Sequence, residues 1–466
     1  MKRSRELGSV ETPILDCLMR HAARERASFH VPGHHGRYLP QPLSAWLGQA
    51  IKLDLTELPG LDNFHSASEC IAASEKLCAR HYGAYRTYYS VNGATACVMA
   101  ALKGACPVPG QRVLIAGPCH MSVWRGLVYA DASPVFVPTR WHAERQAFDP
   151  PSPALLEVAL RRCADVRAVF VTSPTYQGLV ADVRGLAEAA HRHGALLLVD
   201  EAHGAHFGLD PRLPPHSVAE GADVVIQSPH KTLPCLTQAA WVHVMRPELA
   251  DAIHEALLFL HTTSPSYLLL AALDAAQAFL RSGQDLVKET LDRLQAYRAF
   301  DAGTDPMRLW IPTGSKARGA QLAKRLEDAG MFLEYWDASG ALALFGFGQT
   351  EREVARFFEV YRTWREEAGE VTSDGGWAGA DLYEAPAELA VRPGVIHHAP
   401  GRRVPLREAV GHIAKRPVAP YPPGVPALWP GQVVSERHAE LLARLWEDGH
   451  DVVGVGADGT IEVCDA

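Results

Sequence analysis

ALLLVDEAHGAHFGLDPRLPPHSVAEGADVVIQSPHKTLP, residues 195–234, contains two short apolar runs, ALLLV and VVI, each followed at once by polar residues. Neither run alternates apolar with polar, and both are too short for a helix, so they predict strands buried on both faces. RVLIAG (112–117), SPVFVPT (133–139), AVFVTSP (168–174) and AAWVHV (239–244) have the same character, with helix-like text between them. The chain from about 70 to 245 therefore predicts an α/β unit with a mostly parallel sheet covered by helices on both faces. In such sheets the ligand crevice lies beyond the carboxyl ends of the strands. GPCHMS (117–122), TSPTYQG (172–178), DEAHGAH (200–206) and SPHK (228–231) all fall at those ends.

The rest of the chain divides around this unit. Residues 1–60 combine a helical pattern with FHVPGHHGRYLPQP (29–42), which reads as an arm or loop. We assign 61–300 to the large domain and 301–370, where LWIPT and ALALFGF flank the amphipathic QLAKRLEDAG, to a small α/β domain. A C-terminal α/β domain, 371–466, is rich in Pro and Gly before a last helix, SERHAELLARLWEDG (435–449).

With 466 residues, 47% of them hydrophobic, the chain can bury a large core. The net charge of −8 comes with scattered lysines and arginines, which argues against nucleic acid or an anionic membrane as partner and for a small molecule. Nine cysteines form no C-x-x-C pair, which points to reduced thiols and a cytoplasmic location. The first 25 residues lack the apolar stretch of a signal peptide, and no run approaches a membrane span.

Lys231 follows the second of the opening strands. A lysine at the mouth of a parallel sheet is partly desolvated, which favours the neutral amine that forms a Schiff base. Asp200 ends the preceding strand, where a carboxylate at an apolar edge needs a cationic or hydrogen-bonding partner. Pyridoxal 5′-phosphate (PLP) would supply one, because a carboxylate facing its ring nitrogen keeps that nitrogen protonated. The same carboxylate could instead cap the following helix. His120 could stack on a flat cofactor or simply hydrogen-bond within its loop, and VNGATA (91–96) offers exposed amides and the Thr95 hydroxyl for a phosphate at a helix start. Asp200, His203 and His206 also form a possible metal set, but that reading leaves Lys231 and the phosphate turn without a role, so no metal is expected. Gly454, Gly456 and Gly459 spell G-x-G-x-x-G too close to the end for a βαβ unit.

In order along the chain, FHVPGHHG, LDLTELPGLDN, YSVNGATA, GPCHMSV, TSPTYQG, VDEAHGAHF, SPHKTLPCLTQ, TTSPSYLLLA and PYPPGVPALWPGQ resemble the Orn/Lys/Arg decarboxylases of aspartate-aminotransferase fold (fold type I), in the short form without an N-terminal wing domain. The resemblance implies PLP as cofactor and decarboxylation of arginine, lysine or ornithine. It gives Lys231 the role of the Schiff-base lysine, Asp200 that of partner to the ring nitrogen, and His203 a place beneath or beside the ring. His120 takes the stacking position. Ala94, Thr95, Ser228 and His230 form the phosphate-holding set, with Thr262 or Thr263 reaching in from the other subunit of at least a homodimer. Lys231 and His230 remain alternative proton donors to Cα.

Selectivity for a basic side chain requires acceptors at the far end of the pocket, for which Glu57 and Asp62 in TELPGLDN are the sequence candidates; both read equally well as surface or loop-capping residues. Departures from the family pattern fall at His35, at Met121, in LDNFHSASECI and at His412, none of them in the proposed core. They keep open another reaction on the same fold, an aminotransferase or oxidative deaminase, and a PLP-binding homologue without turnover.

Overall fold

The computed structural model describes residues 10–24, 27–337, 339–369, 389–421 and 425–464. Its centre is a seven-stranded sheet: β1 (Arg86–Ser90), β2 (Arg112–Ala116), β3 (Ser133–Val137), β4 (Val166–Thr172), β5 (Leu196–Asp200), β6 (Val224–Gln227) and β7 (Ala240–Val244). The spatial order is β1-β7-β6-β5-β4-β2-β3. Only β7 runs against the rest, pairing antiparallel with both β1 and β6.

Successive residues of each strand enter different layers, as the two-residue period requires. Val113, Ile115, Phe170, Leu198 and Ile226 pack beneath α1 (Gly93–Ala105), α2 (Ser122–Ala130) and α4 (Pro247–Leu260). Leu114, Val169, Val171, Leu197 and Val225 pack on the opposite face, against Leu186 and Ala190 of α3 (Val183–Arg192). Two buried faces explain why these strands read as continuous apolar runs.

Part of the stretch read as an arm packs against the large domain. The helix Pro13–Arg24 buries Ile14 and Leu18, and Asp274 accepts from the backbone N–H of Ile14 and Leu15 at 2.9 and 3.0 Å. The stretch after it is different: Phe29, Tyr38 and Trp46 are exposed.

A second, antiparallel sheet joins β8 (Arg308–Pro312), β9 (Tyr335–Trp336) and β10 (Gly340–Leu344) in the order β8-β10-β9. Beyond 389, Arg402–Pro405, Ile413–Ala414 and Thr460–Cys464 form one small sheet, and Ala419–Tyr421 pairs with Asp451–Val453. Gly454–Gly459 is a turn between two strands of this region, with no helix following it. Gly454 has φ +93°, and a Cβ there would lie 2.2 Å from the Pro417 carbonyl oxygen, so close backbone approach explains that glycine. The 370/371 boundary expected from the sequence lies outside the described residues, as do Pro422–Gly424 of the Pro-rich segment.

Candidate active site

The carboxyl ends of β2, β4, β5 and β6 open into one cavity of about 630 Å³. Lys231, Asp200, His203, His120, Ala94, Thr95, Ser228 and His230 all line it, as do Met121 and Glu334. Thr262 does not. Its carbonyl accepts from His65 Nε2 at 2.9 Å and its hydroxyl from the Ser264 N–H at 3.1 Å, on the surface of this chain.

Ser228 closes β6, and one helical turn, Pro229–Thr232, then lifts Lys231 over the end of the sheet. Its Nζ lies 2.9 Å from His203 Nε2. The amine opens onto the cavity, yet burial by the surrounding walls lowers its pKa, against the opposing pull of Asp200 and Glu334. Desolvation of this kind favours the uncharged amine.

Asp200 is 5% exposed, and its Oδ1 accepts from the Ala202 N–H at 3.0 Å. Among the described residues it forms no ion pair. A buried carboxylate with one backbone donor has room for a cationic N–H. His120 Nδ1 accepts from the Ser122 N–H at 3.1 Å, which leaves Nε2 and the ring face toward the cavity; burial lowers its pKa. His230 Nδ1 donates to the Ala239 carbonyl at 2.8 Å and so keeps Nε2 as an acceptor, again with a pKa lowered by burial.

The start of α1 points its first amides at the same space. Asn92 precedes it and Gly93 has φ +76°, which brings Ala94 and Thr95 to the cavity wall. Unpaired amides and a helix dipole at that point suit a phosphate. Thr172 Oγ1 is buried without a hydrogen-bond partner at the same wall. A basic lysine, an unpaired buried carboxylate, a flat ring and a helix start within one cavity are the donor set that PLP requires.

Of the two readings open for Glu57 and Asp62, the structure selects the surface and loop-capping one. Asp62 is 3% exposed, and its carboxylate accepts from five backbone amides, those of Asn63 and Ser68 in the preceding loop and of Glu69, Ile71 and Ala72 at the start of the helix Cys70–Tyr82. A carboxylate so saturated is a cap and has no lone pair left for a ligand. Glu57 is exposed and outside the cavity wall. The carboxylates of the wall are Asp200 and Glu334, and Glu334 escaped the sequence reading because FLEYW carries no motif. His206, considered above with Asp200 and His203, turns into the core, where its Nε2 meets Asp305 Oδ1 at 2.9 Å.

Comparison with known proteins agrees with this arrangement. A family profile described as "Orn/Lys/Arg decarboxylase, major domain" matches residues 12–316, and one described as the C-terminal domain of the same family matches 390–446. The uncharacterized protein YaaO of Bacillus subtilis is 31% identical, with 94% of each chain covered. An arginine decarboxylase of the same organism is 30% identical, with 95% of each covered. The solved structure of lysine decarboxylase A from Pseudomonas aeruginosa superposes with a TM-score of 0.82 at 20% identity, over 98% of this chain and 81% of that one. The fold is that of aspartate aminotransferase, fold type I, with additional C-terminal α/β structure. The chain belongs to the Orn/Lys/Arg decarboxylase family.

Proposed function

We propose that the chain binds PLP at Lys231 and decarboxylates a basic amino acid, arginine, lysine or ornithine, to the corresponding amine and carbon dioxide. The observation that carries this reading is the meeting of Lys231, Asp200, His120 and the start of α1 in one cavity. When bound, PLP supplies an electron sink for the pair released as the bond from Cα to the carboxylate breaks. Lys231, held partly desolvated, offers a neutral amine as the covalent attachment point. Asp200 would hold a proton on the ring nitrogen, and His120 would cover one ring face. Ala94 and Thr95 donate to the phosphate from the start of α1, with Ser228 and His230 beside them. The proton returned to Cα comes from Lys231 or His230.

Glu334 faces the cavity from the small sheet, and the Tyr176 hydroxyl donates to its Oε1 at 2.7 Å. Its second oxygen is the acceptor we assign to the guanidinium or ammonium of the substrate. Exposed Phe29, Tyr38 and Trp46 favour a homodimer, since apolar side chains of this size seek a partner surface. Thr262 or Thr263 would then complete the phosphate site of the other subunit. We retain the division at 1–60, 61–300, 301–370 and 371–466. The nine cysteines are free thiols and no described helix is long and apolar enough to cross a membrane, which favours a cytoplasmic enzyme.

The deciding experiment is the visible spectrum of wild type and Lys231→Ala, followed by carbon dioxide trapping with each of the three amino acids. A Lys231-dependent band and carbon dioxide from one substrate are expected. A band with keto acid as product would move the assignment to an aminotransferase, and no band after reconstitution would refute the cofactor assignment.

A further inference from the structure

Arg308, the first residue of β8, sends its guanidinium out of the small sheet and under the cavity floor, where only 3% of the residue is exposed. Its Nη1 donates to the Tyr176 carbonyl at 2.6 Å, and its Nη2 donates to His203 Nδ1. Asp305 Oδ2 lies 3.4 Å from its Nε, and Asp305 is itself paired with His206, all three groups being almost fully buried. Gly178 makes the space: it has φ +91°, and a Cβ there would stand 3.0 Å from Arg308 Cβ and Cδ. The backbone closes over the same place, with the Asp305 N–H donating to the Gly178 carbonyl at 2.8 Å and the Val180 N–H to the Gly303 carbonyl at 2.8 Å.

Burying a guanidinium is costly unless its donors are met. Here a carbonyl takes Nη1, a buried carboxylate stands beside Nε as an ion pair without a hydrogen bond, and Nη2 turns to the histidine beside Lys231. Burial lowers the Arg308 pKa to about 10, which still leaves it charged at neutral pH. A guanidinium has five N–H donors and no acceptor. His203 Nδ1 must therefore be the acceptor, and the one proton of the neutral ring sits on Nε2, which faces Lys231 Nζ at 2.9 Å. An N–H pointing at the lysine is satisfied by the lone pair of a neutral amine and opposed by an ammonium.

We propose that Arg308 is a positioning residue: it fixes the proton of His203 on Nε2 and so holds Lys231 as the uncharged amine before any ligand binds. The significance of that state rests on the reading of Lys231 as the cofactor attachment point. The groups facing Lys231 are Asp200 and Glu334, which favour the ammonium, and His203, His120 and His230, which as neutral rings leave the balance to the hydrogen bond from Nε2.

The test uses the full-length chain stripped of cofactor, so it does not depend on turnover. The reactivity of Lys231 toward an acylating reagent, followed by peptide mass spectrometry across pH, reports its protonation. Arg308→Met should shift the profile upward by about one pH unit, a roughly tenfold loss of reactivity near neutrality. Arg308→Lys, another donor without an acceptor, should restore most of it, and His203→Gln should add little to Arg308→Met. An unchanged profile in folded Arg308→Met would overturn the proposal. Should that variant not fold, the nitrogen chemical shifts of His203 in ¹⁵N-histidine-labelled wild type decide: a bare Nδ1 is expected, and a protonated Nδ1 refutes the assignment. A wild type that shows the bare Nδ1 but takes up no PLP would defeat the functional reading alone.

Discussion

Glu334 and Tyr176 meet across the seam between the small sheet and the loop after β4, with the tyrosine hydroxyl donating at 2.7 Å. The bond holds one carboxylate oxygen of a residue that lines the cavity, and the other is the oxygen proposed for the substrate. Glu334→Gln removes the charge and keeps the shape. A hydrogen bond to a charged group contributes about 1.5–3 kcal/mol, so KM for the basic substrate should rise roughly 10- to 100-fold. The cofactor band should be unchanged; a variant with wild-type KM would take Glu334 out of substrate recognition.

Asp62 belongs to stability and not to substrate choice. Asp62→Ala leaves five buried or half-buried amides without their acceptor, and helix-cap losses alone run to about 1–2 kcal/mol. Urea denaturation should show a loss of at least that size. Among the fraction that folds, the preference between arginine, lysine and ornithine should stay as in wild type.

His120 offers a ring face and Nε2, since its Nδ1 is committed to the Ser122 amide. Stacking contributes about 0.5–1.5 kcal/mol, so His120→Ala should weaken PLP binding roughly 2- to 10-fold, whereas His120→Phe should retain much of it. Equilibrium dialysis against PLP measures the difference.

Acid should unfold the protein through its buried histidines. Burial pushes the pKa of His81 and His261 down to about 4 and that of His243 to about 3. In the unfolded chain these rings take up protons below about 6.5, while in the folded one they stay neutral. Stability from them is thus complete above about pH 6.5 and is lost as the pH falls toward 4, by up to about tenfold in the unfolding equilibrium per group and pH unit. Urea midpoints at pH 7, 6 and 5 should fall in that order. His243→Gln, which has no ring to titrate, should show a shallower fall.

Much of this was legible in the residues. The doubly covered sheet announced itself in runs such as ALLLV and VVI, because burial on both faces favours apolar residues at consecutive positions. Lys231, Asp200, His120 and the Thr95 turn were visible because strand ends are where such sheets bind ligands. The reversed direction of β7 was not, since AAWVHV is equally apolar whichever way it runs and pairing alone decides. Asp62 stayed open between cap and ligand acceptor because a carboxylate in a turn looks the same whether it serves backbone amides or a ligand. Arg308 and Glu334 stayed hidden for a further reason: the partners through which they reach the cavity, His203 and Tyr176, lie more than a hundred residues away in sequence, and MRLWIP and FLEYW read as ordinary strand text.

The cavity wall begins at Gly93 and is finished by Pro417, Ala419 and Val453. Residues far beyond Lys231 must therefore be in place before that wall exists, and a chain folded only through Lys231 and Asp200 has the reactive groups without the enclosure. Ligand capture then depends on the strand Asp451–Val453 closing over groups more than two hundred residues before it, and it reports that closure.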